Sequence, residues 1–333
     1  GGTVSARYAI GIDLGTTHSA LSYVDLEASD GENTAHGVLP VPQLTAPGTV
    51  EALPLLPSFL YLPHPDELAP GELALPWATD GEGAIAGEMA RSRGATTPIR
   101  LVSSAKSWLC HPGVDRRAAI LPADAPEEVT RVSPLEASTR YLAHLRQAWD
   151  HAHPEAPFDQ QQVTVTIPAS FDPGARELTA EAARNAGYAS ATLLEEPQAA
   201  LYSWIQGSNG AWRKQVKAGD IVLVVDVGGG TSDFSLIAIL ERDGKLEPHR
   251  VAVGDHILLG GDNMDLALAH LVARKVAANG TGLDAWQMRS LTYGCRAAKE
   301  HLLADATATT WPIVVPSRGS KLIGGSIRTE LTR

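Results

Sequence analysis

The feature that most constrains this 333-residue chain is an internal repeat. Ile12-Asp13-Leu14-Gly15-Thr16-Thr17-His18-Ser19-Ala20-Leu21-Ser22 aligns with Val225-Asp226-Val227-Gly228-Gly229-Gly230-Thr231-Ser232-Asp233-Phe234-Ser235. An Asp at a strand end, a Gly, two Ser and the same apolar alternation recur, and the two Asp are 226 minus 13, or 213, residues apart. Each copy reads as strand, tight polar bend, strand. Two copies of one hairpin imply two related lobes that face each other with a phosphate chain between their bends. The bends are rich in Gly and Thr because backbone N–H groups must approach phosphate oxygens with no Cβ in the way. Asp13 and Asp226 then point into the cleft, where two carboxylates repel a triphosphate unless a divalent cation lies between them, so charge balance implies Mg²⁺. One such hairpin alone is read equally well as an Asp capping a Gly turn. The pair favours the functional reading.

Composition sets the class. The length suits about two domains and a sizeable core. With 27 Lys+Arg against 38 Asp+Glu, the net charge of -11 argues against bulk-charge binding to nucleic acid or anionic lipid. No run approaches the roughly eighteen apolar residues of a membrane span. Two cysteines, Cys110 and Cys295, offer neither a disulfide framework nor a cysteine-rich metal site. The opening Gly1-Gly2-Thr3-Val4-Ser5 lacks the apolar stretch of a signal peptide and reads as a cloning remnant, so a cytoplasmic location is expected; a monomer is expected as well. Asn279-Gly280-Thr281 matches the glycosylation triplet, a pattern common by chance.

Along the chain, prolines recur from Pro40 to about Leu75 and predict short extended pieces in an irregular subdomain. Ser133-Pro134-Leu135-Glu136 combines an N-cap, a first-turn proline and a capping-box Glu, and predicts a helix to about His151 with Leu142, Leu145 and Trp149 on one face. Val163–Ile167 predicts a strand, Asp172-Pro173 opens a helix that Gly187 stops, and Ala191–Leu194 returns as a strand. Strand, helix, strand implies a parallel pair and an α/β architecture. After the break at Gly207-Ser208-Asn209-Gly210, Ile221–Asp226 predicts a strand buried on both faces. Phe234–Ile239 is its hairpin partner, helices follow from Asp262 and across Leu291, Cys295, Ala298 and Leu302, and a last hairpin turns at Ser317-Arg318-Gly319.

Three segments carry a family resemblance: Gly11-Ile12-Asp13-Leu14-Gly15-Thr16-Thr17-His18-Ser19, Asp226 to Asp233, and Gly254-Asp255 through Leu259-Gly260-Gly261-Asp262-Asn263-Met264-Asp265. Ile167-Pro168-Ala169-Ser170-Phe171 and Glu196-Pro197-Gln198-Ala199-Ala200 extend it in order. The chain from Tyr8 onward resembles the nucleotide-binding domain of the 70-kDa heat-shock protein (DnaK-type) family. The resemblance implies an α/β, actin-like and ribonuclease H-like, two-lobed ATPase fold. Lobe I is expected over 1–212, with a Pro-rich subdomain at about 45–118. A partial lobe II is expected over 213–333, with its core at about 219–256 and an outer part at about 257–333. It also implies slow ATP hydrolysis serving a chaperone, with ATP/ADP and Mg²⁺ as cofactors. Client polypeptides and co-chaperones would bind through segments absent from this chain.

Residue by residue, the resemblance implies that Asp13 and Asp226 hold Mg²⁺ through its waters, with Asp233 organising that network. Gly15, Thr16, Thr17, His18, Gly228, Gly229, Gly230 and Thr231 would contact the nucleotide, Gly260, Gly261 and Lys299 would approach it from the second lobe, and Thr231 joins the catalytic set. Lys106 would offset developing charge on the γ-phosphate, Glu196 would orient the attacking water, and Glu195 beside it would be a bystander.

Two departures stand out. In the helix expected under adenine the chain reads Arg296, Glu300 and Leu303 where the family has Glu, Arg and Ser, which predicts weaker base recognition. Gly324-Gly325-Ser326-Ile327-Arg328 looks like the family's adenosine motif but follows the last hairpin, where a turn and strand is the better reading; the second lobe is therefore expected to be incomplete, with ATPase activity weak or lost. Alternatives are a sugar or small-acid kinase of the same fold, a filament-forming ATPase, or a non-hydrolysing binding module. His151-Ala152-His153 reads as a solvated helix end, Ser19 and Ser170 lack hydrolase partners in sequence, and Cys110-His111 adjacency does not pair thiol with imidazole.

Overall fold

The computed structural model describes residues 5–30, 33–81, 83–280, 282–317 and 326–333. The first hairpin is built from β1 (Tyr8–Leu14) and β2 (His18–Asp30), with Asp13 opposite Ala20. Next come β3 (Asn33–Val38), β4 (Val41–Ala46), β5 (Thr49–Leu53), β6 (Leu56–Pro57), β7 (Leu60–Tyr61) and β8 (Ile85–Ala86). Of these, β4 to β7 are the short extended pieces that the prolines from Pro40 to about Leu75 predict. Helix α1 (Glu88–Thr96), β9 (Leu101–Val102) and the five-residue α2 (Ala105–Leu109) complete this stretch.

Helix α3 (Pro134–Ala152) starts where the capping signal places it, with Ser133 Oγ accepting the Glu136 N–H at 2.9 Å. Strand β10 (Gln162–Ile167), α4 (Pro173–Asn185) and β11 (Thr192–Glu195) form the expected strand, helix, strand unit. β10 pairs parallel with both β1 and β11, giving a six-stranded sheet in the order β11-β10-β1-β2-β3, with β6 beside β2. Alternation along β1 sends Tyr8, Ile10, Ile12 and Leu14 into a core with Leu142, Leu145 and Trp149 of α3. Each such side chain contributes about 1.5–3 kcal/mol by leaving water.

Helix α5 (Glu196–Gly207) leads to the second hairpin, β12 (Ile221–Val227) and β13 (Ser232–Arg242), which β14 (Lys245–Val253) extends into a three-stranded antiparallel sheet. Here one expectation is corrected. Ile221, Leu223, Val225 and Val227 are 53–57% exposed, so β12 is not buried on both faces. Val222 and Val224 pack with Leu201, Ile237 and Ile239, and among the described residues nothing covers the opposite face.

Helices α6 (Gly261–Ala277) and α7 (Ala285–Ala304) pack against the final hairpin, β15 (Thr310–Val315) and β16 (Ile327–Thr332). Leu291, Cys295, Ala298 and Leu302 are all buried, as their spacing predicts. Arg318 and Gly319 of the expected turn, Gly324, Gly325 and Thr281 lie outside the described residues, whereas Ile327 and Arg328 lie in β16. No described helix is long and apolar enough to cross a membrane.

Candidate nucleotide site between the hairpins

The two bends meet. A Cβ built on Gly229 would lie 2.2 Å from Thr17 Cγ2, and one on Gly230 would lie 2.4 Å from Ser107 Oγ and 3.0 Å from Thr16 Cγ2. Only residues without a Cβ allow this approach. Ser58 braces the first bend: its N–H donates to Thr17 O at 2.8 Å and its hydroxyl to Gly15 O at 2.9 Å. The second bend is braced by the Gly228 N–H to Thr231 O at 2.8 Å. The turn at α6 hydrogen-bonds onto it, Gly261 N to Gly228 O at 2.9 Å and Asp262 N to Gly229 O at 2.7 Å. Gly260 and Gly261 thus stand against the second bend.

Below the bends, charges converge. The Lys106 ammonium forms an ion pair with Glu196, and both side chains are largely buried. Glu196 is the first residue of α5, at its junction with β11. Burial pushes the Glu196 carboxyl above its usual range; Lys106 opposes this, and the charges of Asp13 and Asp226 reinforce it. Burial likewise raises Asp226, with Lys106 opposing and Asp233 and Asp13 reinforcing. Four carboxylates therefore share one field with one lysine. Asp226 and Asp233 stand directly opposite across β12 and β13, and Thr166 Oγ1 lies 3.4 Å from Asp13 Oδ1.

Excess negative charge beside a glycine cradle fits a phosphate-bound divalent cation. Among the described residues no three His, Cys, Asp or Glu side chains come close enough to ligate one ion directly. An ion held here would keep most of its waters, as Mg²⁺ does.

Each remaining candidate has partners of its own. His18 Nδ1 is 3.2 Å from Thr17 Oγ1, and burial lowers its pKa. The Lys299 ammonium pairs with Asp265 at 2.6 Å and lies 3.3 Å from Gly261 O. Arg296 pairs with Asp262 and Asp265 and lies over the Phe59 and Tyr293 rings. Glu300 is bound by Arg91 of α1 at 2.9 Å, and Leu303 is 76% exposed. Asp265 of α6, which pairs with both Arg296 and Lys299, is buried, so the three form one ion network.

Several participants have no sequence signal. Glu195, expected to be idle, accepts Arg176 at 3.2 Å and Arg250 at 2.6 Å, tying β11 to β14. Cys110 does not meet His111, which stacks on Trp108; its Sγ lies 3.5 Å from His256 Nε2. Ser170, which has no hydrolase partners spaced in the sequence, contacts both His256 and Asp233. Ser19 is buried against Ser58, and His153 stacks on Trp149 with ring centroids 3.9 Å apart.

Two facing lobes that each contribute one Asp-Gly hairpin, with a buried Lys–Glu pair beneath, define an actin-like nucleotide-binding domain. The sequence profile of the family described as Hsp70 protein matches residues 114–333, and the chain belongs to that family. It is similar to the chaperone protein HscA homolog of Bordetella pertussis, 31% identical over 339 residues that cover 98% of this chain and 45% of that protein. The HscA homologs of Pseudomonas aeruginosa and Acidithiobacillus ferrooxidans are each 31% identical, over 90% and 93% of this chain and 43% and 44% of their own lengths. The chain thus spans less than half the length of these curated relatives.

Proposed function

We propose that this chain is the ATP-binding and slowly ATP-hydrolysing region of a DnaK-type chaperone, with lobe I over 1–212 and the described part of lobe II over 213–333. The observation that carries the reading is the convergence of Lys106, Glu196, Asp13 and Asp226 beneath two glycine bends from opposite hairpins. Backbone N–H groups around Gly15 to Thr17 and Gly228 to Thr231 hold the phosphate chain. Asp13, Asp226 and Asp233 would hold a hydrated Mg²⁺, which would neutralise phosphate charge. Lys106 leaves Glu196 to meet the γ-phosphate, where its ammonium stabilises charge that grows in the transition state. Glu196, freed, aligns a water for in-line attack, its carboxylate oxygen accepting the water's hydrogen bond, while burial holds the carboxyl above its usual range.

Base recognition is weak in this reading, because Glu300 is neutralised by Arg91 rather than stacked on a base, and Arg296 is committed to Asp262 and Asp265. Clients and co-chaperones are partners of the whole protein. Calorimetric titration with Mg²⁺-ATP, together with turnover of wild type, Lys106→Ala and Asp226→Ala, tests the assignment. Wild-type binding with both variants impaired supports it; undiminished turnover in both variants removes it, and binding without turnover in wild type makes the chain a non-hydrolysing member.

A further inference from the structure

Asp233 is held across the cleft. Its Oδ2 accepts the Thr231 hydroxyl at 2.8 Å, and its Oδ1 lies 2.8 Å from Ser170 Oγ and 3.2 Å from His256 Nδ1. Ser170 Oγ is in turn 2.6 Å from His256 Nδ1. Asp233 and His256 belong to the second hairpin and the loop after β14, whereas Ser170 follows β10 of the N-terminal sheet. The loop is pinned beside β13 because Ser232 N–H donates to Ile257 O at 2.9 Å and Ser232 Oγ to Leu259 O at 2.7 Å.

Counting protons orients the cluster. An ionised Asp233 can only accept, so the single Ser170 hydroxyl proton goes to Oδ1. The Ser170 oxygen then offers a lone pair to His256, and Nδ1 must carry the imidazole proton. Nε2 is left as an acceptor facing Cys110, whose thiol divides its weak hydrogen bond between that nitrogen and Ser107 O at 3.3 Å.

We propose that His256 and Ser170 are positioning residues that aim the Asp233 carboxylate toward the hydrated cation only when the two lobes are docked. This rests on the nucleotide reading above. Docking of the N-terminal sheet supplies Ser170, so lobe closure and Asp233 orientation form one event. Partners of this kind that orient metal-site groups matter about ten- to a hundredfold in metal affinity.

The test measures ADP affinity in Mg²⁺ and in EDTA on the 333-residue chain, and takes the ratio as the readout. His256→Ala and Ser170→Ala should lower that ratio about tenfold, with affinity in EDTA and the melting temperature unchanged. His256→Asn, whose amide N–H replaces Nδ1–H, should restore it, whereas His256→Gln, which replaces Nε2, should not. An unchanged ratio, a parallel loss in EDTA, or equal behaviour of Asn and Gln overturns the proposal. Long-range ¹H–¹⁵N spectra of the ligand-free protein give an independent reading: the Nδ1–H tautomer of neutral His256 is expected, and the Nε2–H tautomer overturns the clamp. Wild type that binds no ADP in either buffer while showing the Nδ1–H tautomer removes the nucleotide reading, and the role toward the cation with it, but keeps the clamp. Mg²⁺-dependent binding with the Nε2–H tautomer removes the clamp alone.

Discussion

The two hairpins share a motif and differ in what lies over their sheets. Ile10, Ile12 and Leu14 of β1 are 1–3% exposed beneath α3, whereas Leu223, Val225 and Val227, at the matching places in β12, are 53–57% exposed. The strand, the bend and the terminal Asp are the same in both. Local patterning therefore builds the hairpin, and the hairpin presents its Asp whether or not the strand's far face is covered. Burial is a property of the neighbour.

The comparison breaks most readily at its apolar positions. Ile12→Ala should cost about 3–4 kcal/mol in urea unfolding of this chain, from lost transfer energy plus the cavity beneath α3. Val225→Ala, at the matching exposed position, should cost under about 0.5 kcal/mol. Equal costs would show that the β12 face is covered in solution.

The hairpins also differ in that, among the described residues, the centre's cation, Lys106, comes from the N-terminal half. Lys106→Ala should lower single-turnover ATP hydrolysis about a hundredfold, as loss of one charge-stabilising donor does, while nucleotide affinity falls far less. A loss confined to affinity would place Lys106 in ground-state binding.

A third contrast is acid sensitivity. His144 of α3 is buried with Nε2 2.8 Å from Pro42 O, and burial lowers its pKa to about 4. The folded state thus binds fewer protons than the unfolded one between the ordinary histidine value and about 4, so stability falls as pH drops through that window. The slope from this residue should be about 1 kcal/mol per pH unit, and His144→Gln should flatten it. Among the described residues the C-terminal half has no histidine so buried.

The smallest effect concerns Asp226. Its raised pKa means the ionised form opposes folding, so stability is lost as pH rises through that pKa. Asp226→Asn should raise the melting temperature of the ligand-free protein at pH 8 by about 2 °C, with the difference vanishing under acid conditions where the carboxyl is protonated. The same variant should lose Mg²⁺-dependent nucleotide binding, and stabilisation without that loss would mark Asp226 as a strained carboxylate with no role in the site.

Much of the N-terminal half was legible because its signals are local. Ser133 and Asp172 cap α3 and α4 through side-chain acceptors at fixed spacing, and the alternation of β1 names its buried face before any fold is known. The same reasoning failed on β12, since an apolar run reports what a strand can bury and not whether a partner is present. Lys106 and Glu196 were named through a family resemblance, and their ion pair spans ninety residues that no periodicity links. Glu195, Ser58 and His256 gave no signal, because an isolated polar residue acquires a role only from what tertiary packing places beside it.

By itself the sequence determined two Asp-ended glycine hairpins, the capped helices around them and the pairing of two acidic strand ends, since these follow from spacing, backbone freedom and charge. Only the tertiary structure decided that Gly229 meets Thr17, that Lys106 is held by Glu196, that Arg91 neutralises Glu300 and that His256 reaches across to Ser170. Contacts between residues tens to hundreds of positions apart depend on how the sheets are set against each other. That arrangement is a sum over the whole packed interior and is written in no single segment.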